Sequence, residues 1–566
     1  MRRSFVALLG AVVLVAVTGA SLALAGTLPR NETLYIAGHQ WGPPTNFNPL
    51  APSPAWPVNG TGSTAPGGGG YIYESLFLYD IVNGRFDPLL AQGFQWVDAA
   101  TMRIQLQPGT RWQDGRPLTA RDVVFTFELA RRFSLGYSPF WQHVQSVRAV
   151  DDRTVEIRLD PARPNRLLVE EYVATVFILP EHIWGPLADR GRSALIEFEN
   201  LDPVGSGPYR VDSYNPERII LRRYDEYWGR SIYGMPTPRY LVHPIFRSND
   251  AGNLALRQAE VDLSQQFVPQ IWTLPNVKTW FAQEPYHIPG SIPLLIINVH
   301  RKGLDNVAVR RALAYAIDYA LIARTAMSRY SEPARSSLII PAGVEARFFN
   351  EELVNRYGWR YYPARSVEIL ERELGARKGS DGIYVLPDGT RLSFTVQTPY
   401  GWTDWMAALE IVSQSARQVG IEVRTEFPQA PVVTSNVQEG NFDMALWYVS
   451  GVGPASPWTR FRDVLDDRAA APIGQQTFQN YGRFSHPDVA RLLDQAAQAG
   501  SVEELRRIYG ELDRIFMENV PAIPLMYRPL AFYEFNETHW TGFPTASDPK
   551  APPAFYISVL RLVRPR

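Results

Sequence analysis

Residues 106–126 read LQPGTRWQDGRPLTARDVVFT, and this stretch decides how the surrounding chain folds. Gly115 permits a tight turn, and Pro117 stiffens the approach to the segment that follows. Thr119 belongs to the residue types that cap helix N-termini, so the pattern predicts a helix over residues 120–131 with its apolar residues at helical spacing. The stretch therefore predicts a turn followed by a capped helix, and it carries no information about a ligand.

Strands and helices alternate on both sides of this stretch. Helices are predicted at 306–323, 365–374 and 405–418, and strands at 33–37, 146–150, 154–159, 218–223, 392–397, 422–427, 442–447, 522–527 and 530–534. Such alternation indicates an α/β fold in which helices cover mixed sheets. A chain of 566 residues is long enough for several structural units.

The composition excludes several classes of function. Cysteine is absent, which excludes disulfides, cysteine-ligated zinc, iron–sulfur clusters, thiol nucleophiles and a lipid anchor on a cysteine. The net charge of −1 gives no electrostatic footprint for nucleic acid. The eight histidines form no His-Glu-x-x-His motif, and we expect neither a metal nor any other cofactor. The 15 tryptophans are numerous enough for some of them to line a pocket.

Residues 1–25 have the features of a signal peptide. Arg2 and Arg3 supply its positive start, residues 5–17 are apolar, and Ala23-Leu24-Ala25 forms a small-x-small cleavage site. The alternative is an uncleaved N-terminal membrane anchor, for which the apolar run is about long enough. We expect cleavage and a soluble protein in the periplasm or another extracytoplasmic space.

The opening stretch also resembles the signature of a known family, the extracellular solute-binding proteins of family 5, which covers the dipeptide, oligopeptide and nickel class. Further stretches resemble the family in the same order along the chain: 46–49 (NFNP), 71–76 (YIYESL), 205–209 (GSGPY), Asn298 ahead of 310–312 (RRA), and 440–444 (GNFDM). The resemblance spans nearly the whole chain after the leader.

This resemblance implies a two-lobed periplasmic binding protein of the cluster C type, with mixed sheets and an inserted subdomain. Lobe I is expected to comprise 26–70, 204–297 and 526–566, with the subdomain at 71–203, and lobe II is expected at 298–525. The resemblance further implies a monomer without catalytic activity. It would close its lobes around a small molecule and deliver it to an ABC permease in the membrane.

The stretch Tyr400-Gly401-Trp402-Thr403-Asp404-Trp405 is the strongest candidate for ligand contact. It follows a predicted strand and leads into a predicted helix, the position at which open α/β sheets bind ligands. Its aromatic rings can stack on the apolar faces of sugar rings, and Asp404 can accept hydrogen bonds from hydroxyl groups. The alternative is a hydrophobic staple with a helix cap at Thr403 or Asp404, which would leave at least one tryptophan in the core.

A missing carboxylate near Trp447 argues against a peptide ligand. Peptide-binding relatives resemble the pattern W..DY..P here, and its acidic residue pairs with the amino terminus of the peptide. This chain has Ser450 or Gly451 near that position and no carboxylate between Asp443 and Arg460. A buried ammonium without its partner costs free energy, so the sequence favours a ligand without one.

Two stretches, 38–49 (GHQWGPPTNFNP) and 399–406 (PYGWTDWM), resemble the branch of the family that binds cello- and other beta-linked oligosaccharides. Asparagines at predicted strand ends and loops add candidate polar contacts, with turn and cap chemistry as the alternative for each. The expected ligand-binding residues are Trp41, Asn46, Trp56, Asn249, Asn298, Tyr400, Trp402, Asp404, Trp405 and Trp447.

The sequence therefore predicts capture of a beta-linked oligosaccharide, such as a cello- or manno-oligosaccharide. An oligopeptide is the alternative within the same family. A glycoside hydrolase is the alternative from another class, because a tryptophan-rich cleft with two carboxyl groups also describes such enzymes. A ligand sensor for a chemoreceptor would share the capture mechanism.

Overall fold

The computed structural model describes residues 28–59, 70–529 and 531–566, and for Ala469 the backbone alone. The predicted signal peptide lies outside these residues. In the part of the chain that is described, no helix is both long enough and apolar enough to cross a membrane.

The first of three large sheets has seven strands drawn from distant parts of the chain, and we call it and its surroundings lobe I. In spatial order its strands are Val277–Lys278, Glu534–Asn536, Leu263–Ser264, Thr33–Ala37, Tyr240–Pro244, Arg218–Arg223 and Tyr209–Asn215. The strand Thr33–Ala37 lies at the centre and is parallel to both neighbours. Four of its five residues are buried, as expected for a strand covered on both faces. The helices of this region are Arg230–Tyr233, Asn249–Arg257 and Ile557–Leu560.

The second sheet is antiparallel, has four strands and lies within residues 71–203, the predicted subdomain, which we call the subdomain below. Its strands are, in order, Ala91–Trp96, Thr101–Leu106, Thr154–Leu159 and Val144–Asp151. The helix Ala120–Arg132 packs on it and begins as predicted, because the Thr119 side chain caps its first turn while the Asp122 carboxylate accepts the Thr119 backbone N–H at 2.9 Å. The other elements here are the hairpin Phe77–Asp80 with Arg85–Pro88, the helices Arg166–Thr175, Glu181–Asp189 and Arg192–Ile196, and the short helix Ser138–Gln142.

The third sheet has five strands and forms the core of what we call lobe II. Its strands are, in order, Glu422–Glu426, Ser393–Gln397, Met444–Trp447, Leu294–Ile297 and Ala522–Pro524. The sequence placed residues 294–297 in lobe I, and the structure corrects this. The strand Leu294–Ile297 lies between two strands of lobe II, and all four of its side chains are buried there.

Lobe II also contains a set of helices. They are Val307–Ala316, Tyr319–Leu321, Glu351–Tyr357, Pro363–Glu368, Thr403–Gln418, Ala430–Glu439, Trp458–Leu465, Val489–Gln498 and Val502–Asn519, with π turns at Ile322–Ala326 and Ile369–Glu373 and short 3₁₀ turns at Gly343–Phe348 and Asp467–Ala469. The predicted helix 306–323 is interrupted after Ala316. Ile317 is extended, and the Asp318 side chain caps a new turn by accepting the Leu321 N–H.

Two short strands cross between the lobes and pair with each other. Pro289–Ser291 runs antiparallel to Arg528–Pro529, and the Ser291 hydroxyl donates to the Arg528 carbonyl oxygen at 3.2 Å. The chain leaves lobe I through the first strand and returns through the second. These two strands are therefore the connection about which the lobes can move.

The subdomain also contacts lobe II. The Glu171 carboxylate accepts the backbone N–H of Ala455 at 3.1 Å, and the His143 ring meets the Trp458 ring edge-on at 6.5 Å. A cleft lies between lobe I and lobe II, beside the crossing strands.

Candidate functional site

A cavity of about 830 Å³ lies in this cleft, in the upper part of the range for small-molecule sites, about 300–1,000 Å³. Lobe I contributes Trp41 and two segments, 247–249 and 265–267. The crossing strands contribute Ser291 and Arg528. Lobe II contributes most of the remaining wall, through residues 293, 400–402, 404–405, 448–451, 462–463, 478–479 and 481, and Phe532 follows the second crossing strand. Both lobes and both crossing strands therefore meet at one site.

Four aromatic residues form a cluster on the lobe II wall, which we call the aromatic platform: Trp402, Trp405, Trp447 and Tyr448. The rings of Trp447 and Tyr448 are stacked, with centroids 4.8 Å apart, and Trp402 stacks over Trp447 at 6.1 Å. Trp405 meets Trp402 edge-on at 4.7 Å. Because Trp405 and Trp447 are buried, the accessible ring surface of the platform belongs chiefly to Trp402 and Tyr448.

The sequence order explains how the platform forms. Trp447 ends a buried strand and Tyr448 follows it directly, whereas Trp402 immediately precedes the helix Thr403–Gln418. The strand Ser393–Gln397, which leads to Trp402, is parallel to Met444–Trp447 and adjacent to it. Two neighbouring strands therefore end at the same edge of the sheet, and each delivers aromatic rings there.

Three more aromatic side chains line the cavity and are largely exposed: Trp41, Tyr400 and Phe478. Sequence reasoning missed Phe478, because residues 470–485 form no helix or strand whose pattern could indicate the cavity. Exposed aromatic rings of this kind are available to stack on a ligand.

The carboxylates in the cavity are already engaged by arginines. The Arg528 guanidinium donates to Asp404 at 3.0 Å, and the Arg462 guanidinium donates to Asp463 at 2.7 Å. The remaining charged side chain of the lining is Arg247, which is exposed. In the described lining, both negative charges are thus neutralised within the protein.

Asp463 changes the argument drawn from the missing carboxylate. It lies on the helix Trp458–Leu465, beyond the sequence window that ends at Arg460, and accepts hydrogen bonds from the Ser450 backbone N–H at 3.0 Å and from the Ser450 hydroxyl at 2.5 Å. The fold therefore brings a carboxylate to the place where the sequence shows none. Its engagement with Ser450 and Arg462 leaves it less available to an ammonium group.

His287 and Glu534 are buried in contact with each other, and His287 also contacts Phe532, which lines the cavity. The His287 Nε2 is 3.4 Å from the Glu534 carboxylate, and the rings of His287 and Phe532 meet edge-on at 5.7 Å. Burial lowers the pKa of His287 to about 3 and raises the pKa of Glu534 well above its usual value. The pair is therefore neutral and places no charge behind Phe532.

The structure brings six of the ten predicted residues to the cavity: Trp41, Asn249, Tyr400, Trp402, Asp404 and Trp405. Of these, Asp404 has one oxygen bound by Arg528, and Asn249 is the first residue of the helix Asn249–Arg257, which Ser248 caps. A helix does begin at Thr403, as the alternative interpretation predicts. Its N-cap is Trp402, however, and not Thr403 or Asp404.

The other four predicted residues do not line the cavity, which corrects their assignment. Trp56 is fully buried against Tyr71 and His243. Trp447 is a buried member of the platform that contacts Trp402 and Tyr448 but not the cavity. The Asn46 side chain accepts the Asn48 N–H and donates to the Ser53 carbonyl oxygen, which is turn chemistry.

Asn298 is the fourth. Its amide is buried and donates to the carbonyl oxygens of Gly440 and Phe442, where it fastens two segments of lobe II. Over the described ranges, no three His, Asp or Glu side chains come close enough together to hold a metal ion.

Comparison with known families matches residues 85–469 to the bacterial extracellular solute-binding proteins, family 5. The chain belongs to this family. The resemblance to family 5 is thereby confirmed, and so is the two-lobed fold, which similar solved structures share. The resemblance to the oligosaccharide-binding branch stays a prediction. This family 5 protein is the substrate-binding component of an ABC transporter, and the family and the similar structures are solute-binding proteins, not enzymes.

Among similar proteins is a periplasmic oligopeptide-binding protein of an oligopeptide ABC transporter from Thermotoga maritima, whose crystal structure holds mannohexaose. It is 31% identical, with a TM-score of 0.85, and the match covers 95% of this chain and 100% of that one. The probable peptide-binding protein YejA of Agrobacterium fabrum is 24% identical over 511 residues, 81% of each chain. The glutathione-binding protein GsiB of Salmonella typhimurium is 23% identical over 488 residues, 83% of this chain and 86% of that one.

Proposed function

We propose that this family 5 protein captures an uncharged oligosaccharide, beta-linked and of the gluco or manno series, between its lobes. The observation that carries the proposal is the aromatic platform, with the open ring surface of Trp402 and Tyr448 facing the cavity. Pyranose rings have apolar C–H faces, and flat aromatic surfaces bury these while the hydroxyl groups stay available for hydrogen bonds. Tyr400, Trp41 and Phe478 extend the exposed aromatic surface along the cavity.

The charge arrangement supports an uncharged ligand. Asp404 and Asp463 are each bound to an arginine, so neither meets the cavity as an unpaired charge. A cationic ligand group would have to displace one of these arginines or be buried without a partner, and either costs free energy. The mannohexaose in the similar Thermotoga maritima protein also supports a sugar ligand, at 31% identity over the full length of that chain.

Lobe closure is the mechanism that goes with this site. Lobe II carries the platform, lobe I carries Asn249 and Trp41, and the crossing strands carry Arg528. A ligand that touches both lobes favours the closed form by the contacts that only the closed form makes. The closed form is then what a permease in the membrane would recognise.

An oligopeptide is the second candidate, and two observations favour it. Asp463 stands beside Ser450, near the position where peptide-binding relatives carry an acidic residue, and relatives such as YejA are named for peptides. A hydrolase has less support, because each cavity carboxylate accepts hydrogen bonds from an arginine, whereas hydrolysis by two carboxyl groups needs one of them to deliver a proton.

A thermal-shift panel separates these candidates. The purified protein, free of its leader, is heated with cello- and manno-oligosaccharides of two to six units, and separately with di- to hexapeptides. We expect saccharides to raise the melting temperature and peptides to leave it unchanged. A peptide that raises it when no saccharide does would refute the proposal, and chromatographic detection of shortened saccharides would assign a hydrolase instead.

A further inference from the structure

The loop 448–457 follows a strand of the lobe II sheet directly and meets three parts of the molecule. Its first four residues line the cavity. The Val452 N–H donates to the carbonyl oxygen of Gly290, in the first crossing strand, at 2.7 Å. The Ala455 N–H donates to the carboxylate of Glu171, in a helix of the subdomain, at 3.1 Å. One short loop therefore joins the cavity wall to the crossing strands and to the subdomain.

The subdomain is fastened to lobe I by hydrogen bonds. The buried Glu74 carboxylate accepts the Tyr227 hydroxyl at 2.7 Å and the Trp228 indole N–H at 2.9 Å. Both donors lie between two strands of the lobe I sheet along the chain. A rotation of lobe II about the crossing strands therefore leaves the subdomain with lobe I, and it changes the contact between Glu171 and Ala455.

The Glu171 side chain is only 3% exposed and lies close to a cation of lobe II. Burial acts to lower the pKa of Arg462, but the carboxylates of Asp463 and Glu171 contribute to raising it above its usual value. The same guanidinium donates to Asp463 at the cavity, at 2.7 Å. Burying a carboxylate costs free energy unless hydrogen bonds and an opposite charge meet it. The contact is therefore favourable in one orientation of lobe II, the one that places Ala455 and Arg462 against Glu171.

We propose that Glu171 is a positioning residue for the cavity, which acts through Ala455 on the loop 448–457. In the closed form its carboxylate fixes this loop, and with it the cavity wall at Ser450 and Gly451. Because the contact needs the closed orientation, it favours the closed form over the open one. A ligand that bridges the lobes favours the same form, so the contact and the ligand stabilise each other. This role is the same for any ligand that the closing lobes trap, and it does not depend on a saccharide.

Isothermal titration with mannohexaose and cellohexaose, together with small-angle X-ray scattering, tests this role in the full-length protein free of its leader. Glu171→Ala removes both the acceptor and the negative charge. If scattering shows that the free wild type is mostly open, we expect the dissociation constant of the preferred saccharide to rise about 10- to 100-fold. If the free wild type is mostly closed, we expect a larger radius of gyration for the free variant, because its open form becomes populated.

Two further variants separate positioning from a general loss of stability. Glu171→Gln keeps a side-chain oxygen for the Ala455 N–H and should recover at least half of the change. Glu170→Ala makes the same substitution one residue earlier on the same helix, where the carboxylate accepts the Trp96 indole N–H at 2.8 Å within the subdomain. This control should bind and scatter like the wild type.

The role of Glu171 is overturned if Glu171→Ala keeps the wild-type dissociation constant within about threefold and also keeps the radius of gyration of the free wild type. A lower melting temperature alone then assigns Glu171 a structural role. An equal effect of Glu170→Ala overturns the positioning role as well. If the wild type binds neither saccharide, the proposed function fails, and the peptide that raises the melting temperature in the thermal-shift panel replaces the saccharide in the same comparison. If no compound of the panel binds, capture by lobe closure fails, and the role of Glu171 fails with it.

Discussion

Replacing Tyr448 by alanine should weaken saccharide binding by removing one open face of the platform. Tyr448 is 52% exposed, and its ring stacks on the buried Trp447 at 4.8 Å. A buried tyrosine covers about 150–250 Å², so on the order of 100 Å² of this side chain is open to a ligand. A sugar ring that covers about half to all of that area contributes about 1.25–2.5 kcal/mol, at about 25 cal/mol per Å². This corresponds to a dissociation constant that rises about 8- to 60-fold.

Calorimetric titration with the preferred saccharide measures this change in the dissociation constant, and two further variants serve as controls. Tyr362→Ala removes a tyrosine of nearly equal exposure, 51%, that lies outside the cavity lining, and it should bind like the wild type. Tyr448→Phe keeps the ring face and loses only the hydroxyl, and it should stay within about threefold, as expected if the ring face carries most of the contact. Wild-type affinity in Tyr448→Ala, or an equal loss in Tyr362→Ala, would refute stacking on this platform.

Three further predictions concern the framework around the site. Burial raises the pKa of Glu74 to about 7, so the folded protein favours the protonated carboxyl group. The resulting contribution to stability is complete below about pH 4.5 and is lost as the pH rises through 7. In denaturant unfolding, the free energy of unfolding of Glu74→Gln should therefore rise by up to about 3 kcal/mol relative to that of the wild type as the pH increases from about 4.5 to 7. A difference between the two proteins that does not change with pH would contradict this prediction. Gly205→Ala would put a methyl group well within 3.0 Å of the Ile72 carbonyl oxygen and should lower the free energy of unfolding by about 1–3 kcal/mol. In the control variant Gly136→Ala the methyl group enters open space, and the free energy of unfolding should change by less than about 0.5 kcal/mol. Trp56→Ala should lower the unfolding free energy by about 3–5 kcal/mol because the side chain is fully buried, yet below its melting temperature the variant should bind saccharide like the wild type.

The local features of the fold were readable from the sequence wherever one short segment determines them. The strands Thr154–Leu159 and Arg218–Arg223 have the predicted bounds, and Thr119 caps its helix as expected. The strand Leu294–Ile297 shows the limit, since its four apolar residues predict burial but not which of two sheets buries them. Only the pairing with distant strands decides that question.

The candidate site was likewise predictable only in part. Residues 400–405 lie in the cavity because a strand-to-helix junction fixes them at one edge of the sheet, a position that the sequence indicates. Asp463 and Gln266 reach the cavity through the packing of elements far apart in the chain, and no local pattern marks them. For Trp56 the local pattern is misleading: its neighbours in sequence are typical of a loop, but its side chain is fully buried.

The position of a bound saccharide tests the central claim most directly. The crystal structure of the protein with mannohexaose or cellohexaose should show sugar rings against Trp402 and Tyr448, with the Asp404–Arg528 and Asp463–Arg462 pairs unbroken. A saccharide bound away from the platform would contradict the account. So would a peptide in the cavity whose amino terminus takes Asp463 from Arg462.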